Sequence, residues 1–353
     1  MNPRGLLGRG GALLLPVVLA FAVALLLLQL AGAPPLDAMR LLWDGAAGSP
    51  DKVADSLMAW VPLALASAGL VITFAAGLWN IGIEGQIIAG AIAATWAARE
   101  VPGPAPLLIL AILAAGMIGG ALWALLAGVL KTRGNVNEIF GGLGLYFVAF
   151  GLGVYLIIGP WKRAGIASTS GTDLFRPESW LPTVGGTRLS PPALGVAILA
   201  VILVYLLMRG TLLGLRMKAV GRNARSAHLM GIPTERYTLG AFALCGALAG
   251  VAGAIQAVGV HHKLVPAVSG GYGFLGILVV LLAGFRASWI APIALFFAAV
   301  SVGSTQLSLR LDLDSSLGGV LQGVLVLFVV LAGGWQLRRA RGSQRETTPP
   351  EEG

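Results

Sequence analysis

Apolar runs of about 18 to 25 residues follow one another along nearly the whole chain, separated by short polar stretches. A helix needs about 20 apolar residues to cross about 30 Å of hydrocarbon, so the pattern predicts a polytopic, all-α transmembrane bundle. It places about ten spans near 11–31, 56–77, 81–98, 106–130, 136–159, 191–209, 237–260, 272–285, 288–307 and 316–334. Residues 1–10 then form a short N-terminal segment, 11–335 one membrane domain, and 336–353 a basic and then acidic tail.

Two interruptions of the pattern stand out. Asn80-Ile81-Gly82-Ile83-Glu84-Gly85-Gln86 sets a carboxylate and two amides between spans, where they are costly unless paired or facing water, and so suggests a transport pathway. Five spans later Gly271-Tyr272-Gly273-Phe274-Leu275-Gly276 opens another apolar run. The two spans run in opposite directions, as in an inverted repeat whose glycine-interrupted helices line a central path. The alternative reading of Asn80, Glu84 and Gln86 is structural: they tie together a broken helix whose glycines leave backbone groups open.

Composition agrees with a membrane protein: 57% of residues are hydrophobic and 11% charged, against roughly 25% charged in soluble domains. Among 51 glycines, Gly116-x-x-x-Gly120 and Gly246-x-x-x-Gly250 have the spacing of close helix contacts. The net charge of +9 lies in short segments between spans, where topology accounts for it better than nucleic acid does. With the N-terminus inside, fifteen of the 24 Lys and Arg residues fall on the cytoplasmic side, which favours both termini there. Arg4 and Arg9 before the first apolar run imitate a signal peptide, but the run is long for one and reads as an uncleaved helix. Trp96, Trp161, Trp289 and Trp335 fall near span ends, as interfacial anchors do. The external segments 32–55 and 160–190 hold Pro, Gly and acidic residues and read as loops, a lid or a docking surface. His261 and His262 read as solvated surface.

The Arg/Lys-rich segment 209–236 lies on the cytoplasmic side. Its Ala219, Ala224, Ala227 and Leu229 have helical spacing, with Gly231 and Pro233 as a stop, so it predicts one short amphipathic helix. Such a helix either touches anionic lipid or docks in a groove of a soluble partner. No Walker-A sequence, no metalloprotease helix and no Ser/His/Asp set is found, which argues against an enzyme and assigns any ATP use to another subunit. Cys245, the single cysteine, lies in an Ala/Gly/Leu-rich span and reads as a small core residue.

Five stretches carry a resemblance: Asn80-Ile-Gly-Ile-Glu-Gly-Gln86, Val136-Asn-Glu-Ile139, Ala219-Val-Gly-Arg-Asn223, Ala227-His-Leu-Met-Gly-Ile232 and Ser269-Gly-Gly-Tyr-Gly-Phe-Leu-Gly-Ile277. In this order, over roughly 55–335, the chain resembles the permease subunits of ABC importers of the branched-chain amino acid, ribose and nucleoside superfamily. It is most similar to the longer permease of nucleoside and simple-sugar importers. The resemblance implies a plasma-membrane importer with a second, often paralogous, permease, a cytoplasmic ABC ATPase that binds ATP and Mg, and an extracytoplasmic substrate-binding lipoprotein, with no cofactor in this chain. It implies that 209–236 is the coupling segment, with Arg222, Asn223, Ala227, Gly231 and Ile232 against the ATPase.

Where the nucleoside branch commonly carries a Met-Leu-Asn run after Asn137-Glu138, this chain has Gly144-Leu145-Tyr146, which exchanges an amide for a phenol. A nucleoside is neutral and asks for amides, hydroxyls and aromatic faces, so Asn80, Gln86, Asn137, Tyr146, Tyr272 and Phe274 are pathway candidates with Glu84. Nucleoside is the first substrate expectation; ribose, another simple sugar or a branched-chain amino acid is the alternative. A proton-driven transporter using Glu84 and Glu138 is a third reading, weakened because both acids are expected near the cytoplasmic edge. A scaffold without transport would leave the polar motifs unexplained.

Overall fold

The computed structural model describes residues 34–163, 165, 169–311, 318–328, 330 and 331, with 22, 23, 25, 26, 29 and 32. Nearly all of the expected first span, the two ends of the expected last span, residues 1–10 and the tail 336–353 lie outside the described residues. Every regular element among the described residues is helical. In chain order they are α1 (Pro35–Ala47), α2 (Pro50–Ala75), α3 (Ile83–Glu100), α4 (Ala105–Thr132), α5 (Glu138–Ile158), α6 (Pro191–Gly210), α7 (Leu212–Arg222), α8 (Ala224–Leu229), α9 (Thr234–Ile255), α10 (Tyr272–Leu282) and α11 (Ile290–Leu311). A further short apolar helix, α12, covers Gly318–Phe328.

Six segments are long and apolar enough to cross a membrane: α2, α4, α5, α6, α9 with the π-turn that continues it to His261, and Ala287–Leu311, which contains α11. The chain is therefore a multi-pass helical membrane protein. The expected span 272–285 proves to be an 11-residue helix. At 1.5 Å per residue it reaches only about 16 Å, half the hydrocarbon. Within segment 32–55, read as a loop, a lid or a docking surface, residues 35–47 are instead α1 and residues 50–55 the start of α2. Pro35 at the first helical turn with Asp37, and Ser49-Pro50-Asp51 before α2, are helix-start signals as well as signs of polarity. Ser49 Oγ accepts the Lys52 N–H at 3.3 Å and caps α2.

The chain divides into two compact units. In the larger, Ser49–Ala299, α2 and α9 are central: 83% and 67% of their apolar windows are buried, against 28%, 22% and 28% for α4, α5 and α6, which leave broad apolar faces exposed. Leu70 and Ile72 of α2, Ile83 and Ile87 of α3, and Phe242, Cys245 and Ala249 of α9 form one buried cluster. The two small-residue motifs meet each other. A Cβ on Gly250 would overlap the Gly116 carbonyl, and one on Gly120 would overlap that of Gly246, so α4 and α9 approach backbone to backbone. In the smaller unit, Met1–Gly48 and Val300–Gly353, Ala38 is buried against Leu42, Leu311 and Leu321, and a Cβ on Gly45 would stand 2.9 Å from Gly303 Cα.

Residues 169–190 of the segment expected outside form a strap tied to the end of α9. Thr172 N–H donates to Leu264 O at 2.9 Å, and Phe175 N–H to His262 O at 2.8 Å. His262, expected as solvated surface, is half-buried: its ring stacks on Trp180 at 4.1 Å, and Nδ1 lies 2.9 Å from Val258 O.

Candidate functional site

The segment between α2 and α3 folds back on itself. It turns at Gly77 (φ +76°) and runs back beside α9 before α3 begins. Asn80 and Gln86 form a reciprocal amide pair: Asn80 Nδ2 donates to Gln86 Oε1 at 3.0 Å, and Gln86 Nε2 to Asn80 Oδ1 at 2.9 Å. Asn80 Nδ2 also lies 3.1 Å from the buried Cys245 Sγ, which locks the turn onto α9. Both amides are 1% exposed. Buried amides so matched leave almost no unsatisfied polar group.

Glu84 joins two helix starts. Its Oε1 accepts the N–H of Gly273 at 2.9 Å and of Phe274 at 3.2 Å, so a residue in the first turn of α3 caps α10 from 189 positions away. A carboxylate there answers both the open N–H groups and the positive end of the helix dipole. Oε2 is buried without a hydrogen bond, with the Ser269 side chain facing the same carboxylate. The fit is close, since a Cβ on Gly273 would stand 2.8 Å from Ile83 Cγ2.

Glu84 is thus enclosed where α3 and α10 begin. Helix α10 runs alongside α2, with Gly276 beside Ser67 and Leu70 and Phe285 5.3 Å from Phe74. Glu84, at the start of α10, therefore lies about 16 Å of helix from the end of α10 that stands beside Phe74. The run 77–82, between the end of α2 and the start of α3, carries Glu84 to this junction.

An aromatic cluster lies beside this clasp. Tyr146 of α5 meets Phe274 edge-on at 5.9 Å between ring centres, with Phe147 at 5.1 Å and Phe150 at 6.4 Å. Gly85 admits it: a Cβ there would come within 2.8 Å of Tyr146 Cα. Phe274 is 40% exposed, whereas Tyr272 turns inward and bonds Gln256. Asn80, Glu84, Gln86, Tyr146, Tyr272 and Phe274 thus gather around the starts of α3 and α10. Asn137 does not line the aromatic cluster: it is exposed and caps α5, its Oδ1 accepting the Ile139 N–H at 2.9 Å. Beside it Glu138 pairs with Lys131 at 2.7 Å. Among the described residues no three His, Cys, Asp or Glu gather to hold a metal.

Segment 209–236 holds two helices rather than the single one expected. Asn223 is extended (φ −160°, ψ 100°), ends α7, and caps α8 through Oδ1 and the Ser226 N–H at 3.0 Å. Arg222, Asn223 and Gly231 are exposed and Ile232 is partly so. Ala227 faces inward at 3% exposure, against its expected outward role, because it lies on the inner face of α8. Leu229, expected on the same helical face as Ala227, is instead exposed, and with Met230 it forms an apolar tip, each of the two 81% exposed. Gly221 ties this segment to the site: a Cβ there would overlap the Ala75 carbonyl and stand 2.7 Å from Gly77 N, at the turn that leads to Asn80.

Residues 53–330 match the family described as branched-chain amino acid transport system, permease component. The chain belongs to this family. It is 32% identical over 332 residues to the glucose ABC transporter permease protein TsgB13 of Haloferax volcanii, covering 91% of this chain and 87% of that one. It is 27% identical over 322 residues to the guanosine ABC transporter permease protein NupP of Bacillus subtilis, covering 90% and 91%. With the nucleoside ABC transporter permease protein NupB of Lactococcus lactis it shares 26% identity over 300 residues, 82% of each. This permease is an ABC transporter subunit of the membrane-spanning kind, and its family is typically non-catalytic.

Proposed function

We propose that this permease forms half of the translocation pathway of an ATP-driven importer of nucleosides. The observation that carries the reading is the buried meeting of the α3 and α10 starts at Glu84, with the half-exposed Phe274 and Tyr146 rings beside it. Two interrupted helices that meet inside a bundle give a joint that can rock without exposing backbone to lipid. Aromatic faces suit a nucleobase. In this reading Asn80, Gln86 and Glu84 hold the joint, and Tyr146 and Phe274 meet the cargo. The same meeting of helix starts supports an inverted repeat, and the ten-span topology has both termini in the cytoplasm of the bacterial inner membrane.

The partners follow from the family: a second, paralogous permease, an ABC ATPase holding ATP and Mg, and a lipoprotein that delivers substrate. The ATPase docks at Arg222, Asn223, Gly231 and Ile232, with Leu229 and Met230 as the apolar anchor. Its motion reaches the joint through Gly221 and Gly77. A sugar is the second reading, favoured by the 32% identity to a glucose permease. The test is uptake of radiolabelled guanosine, other nucleosides, glucose and leucine by cells expressing the whole transporter, with and without this chain. Nucleoside uptake that needs both this chain and ATP is expected. Glucose or leucine uptake alone would move the substrate class, and uptake driven by a proton gradient without ATP would overturn the mechanism.

A further inference from the structure

Helices α3, α4 and α5 leave between them an apolar groove of about 610 Å³. Trp96, Trp123, Trp161, Leu122, Leu126 and Leu152 are among the residues that wall it. Along α4 it extends from Gly119 to Val129, about 15 Å of helix, the scale of an acyl chain. The wall has almost nothing to hydrogen-bond a nucleoside or sugar, so the groove is no part of a path for polar cargo.

One end of the groove carries charge. The Arg99 guanidinium carbon lies 5.7 Å from the centre of the Trp161 ring, which stands at the groove mouth. Arg99 Nε is buried without a hydrogen-bond partner. The neighbouring cations differ: Arg163 pairs with Asp173 at 3.4 Å, and Arg176 is held by Ala98 O at 3.1 Å and Val101 O at 2.8 Å. Lys162 adds a further positive charge beside Trp161. Exposed Trp96 and the Trp161 ring with a cation at one helix end match the headgroup level of a bilayer.

We propose that this groove binds an anionic phospholipid, one acyl chain lying along α4 and the phosphate meeting Arg99. The site lies in the leaflet opposite segment 209–236, since Arg99 ends α3 and Gly82, at its start, leads back to the Gly77–Gly221 contact. An apolar helix of another protein would fill the groove but leave Arg99 unanswered; a lipid phosphate answers both features.

The test is native mass spectrometry of the detergent-purified full chain with phosphatidylglycerol and phosphatidylcholine of identical chains. About fivefold tighter binding of phosphatidylglycerol is expected, the effect of about one basic residue at a membrane surface. Arg99→Gln should abolish that preference and Arg99→Lys keep it, while Leu122→Trp, which fills the groove from an exposed position, should weaken both lipids. Elution and melting of each variant check that it has folded. Equal binding of the two lipids, or a preference unchanged in Arg99→Gln and Leu122→Trp, would overturn the site. So would efficient disulfide cross-linking of Leu126→Cys to another permease in the membrane, because the groove would then be filled by protein.

Discussion

At Asn80 and Gln86 two buried amides satisfy each other, and removing one strands its partner. Asn80→Ala should lower stability by about 1–3 kcal/mol, and Asn80→Ala with Gln86→Ala by less than the sum of the single changes. Denaturant midpoints of the purified chain test this, and strict additivity would mean the pair is not coupled. Glu84→Ala leaves the Gly273 and Phe274 N–H groups open in a dry site. A larger loss is expected there, about 1.5–3 kcal/mol for each charge-assisted bond, with Glu84→Gln in between because it keeps an acceptor. Tyr146→Ala tests the other role. It should raise the half-saturating nucleoside concentration with little change in melting, and a collapse of stability with unchanged transport would assign Tyr146 to packing instead.

Between elements, the coupling path rests on the contact of α7 with the turn after α2. Gly221→Ala places a methyl against the Ala75 carbonyl, so the two must separate. Uptake should fall at least tenfold while membrane insertion stays normal; ordinary uptake would remove Gly221 from the path. Gly231→Ala is the contrast. Its Cβ meets open space, and only the left-handed backbone (φ +80°) is strained, by about 1–2 kcal/mol. A milder defect is expected. Leu229→Ser with Met230→Ser should reduce co-purification of the ATPase without affecting the fold, since both side chains are 81% exposed. Unchanged co-purification would place the docking surface elsewhere.

For the whole molecule, burial is uneven in a way that separates joint from frame. Helices α2, α3 and α9 are surrounded by protein, and α4, α5 and α6 face outward along much of their length. Substitutions that enlarge the paired glycines of α4 and α9 should therefore cost folding rather than specificity. Gly250→Leu should abolish the folded, monodisperse protein, whereas Leu199→Phe on the exposed face of α6 should be tolerated. Size-exclusion profiles compare the two, and a well-folded Gly250→Leu variant would contradict the backbone-to-backbone contact of these helices.

Hydrophobic length and composition alone determined that the chain is a helical membrane protein, because hydrocarbon leaves a spanning backbone few ways to satisfy itself. Helix positions from α2 to α6, the spacing of the glycine contacts and the unusual polar heptapeptide were all legible for the same reason: each is local. The tertiary structure decided what was non-local. Glu84 reaches Gly273, Asn80 reaches Cys245 and Gly221 reaches Ala75, contacts between residues more than a hundred positions apart that no periodicity encodes. The shortness of α10 was already visible in the 14-residue apolar run 272–285, and the structure ends the helix three residues earlier still, at Leu282. The two helices of segment 209–236 were hidden because an asparagine reads equally as a polar helix position and as a cap until its backbone is seen.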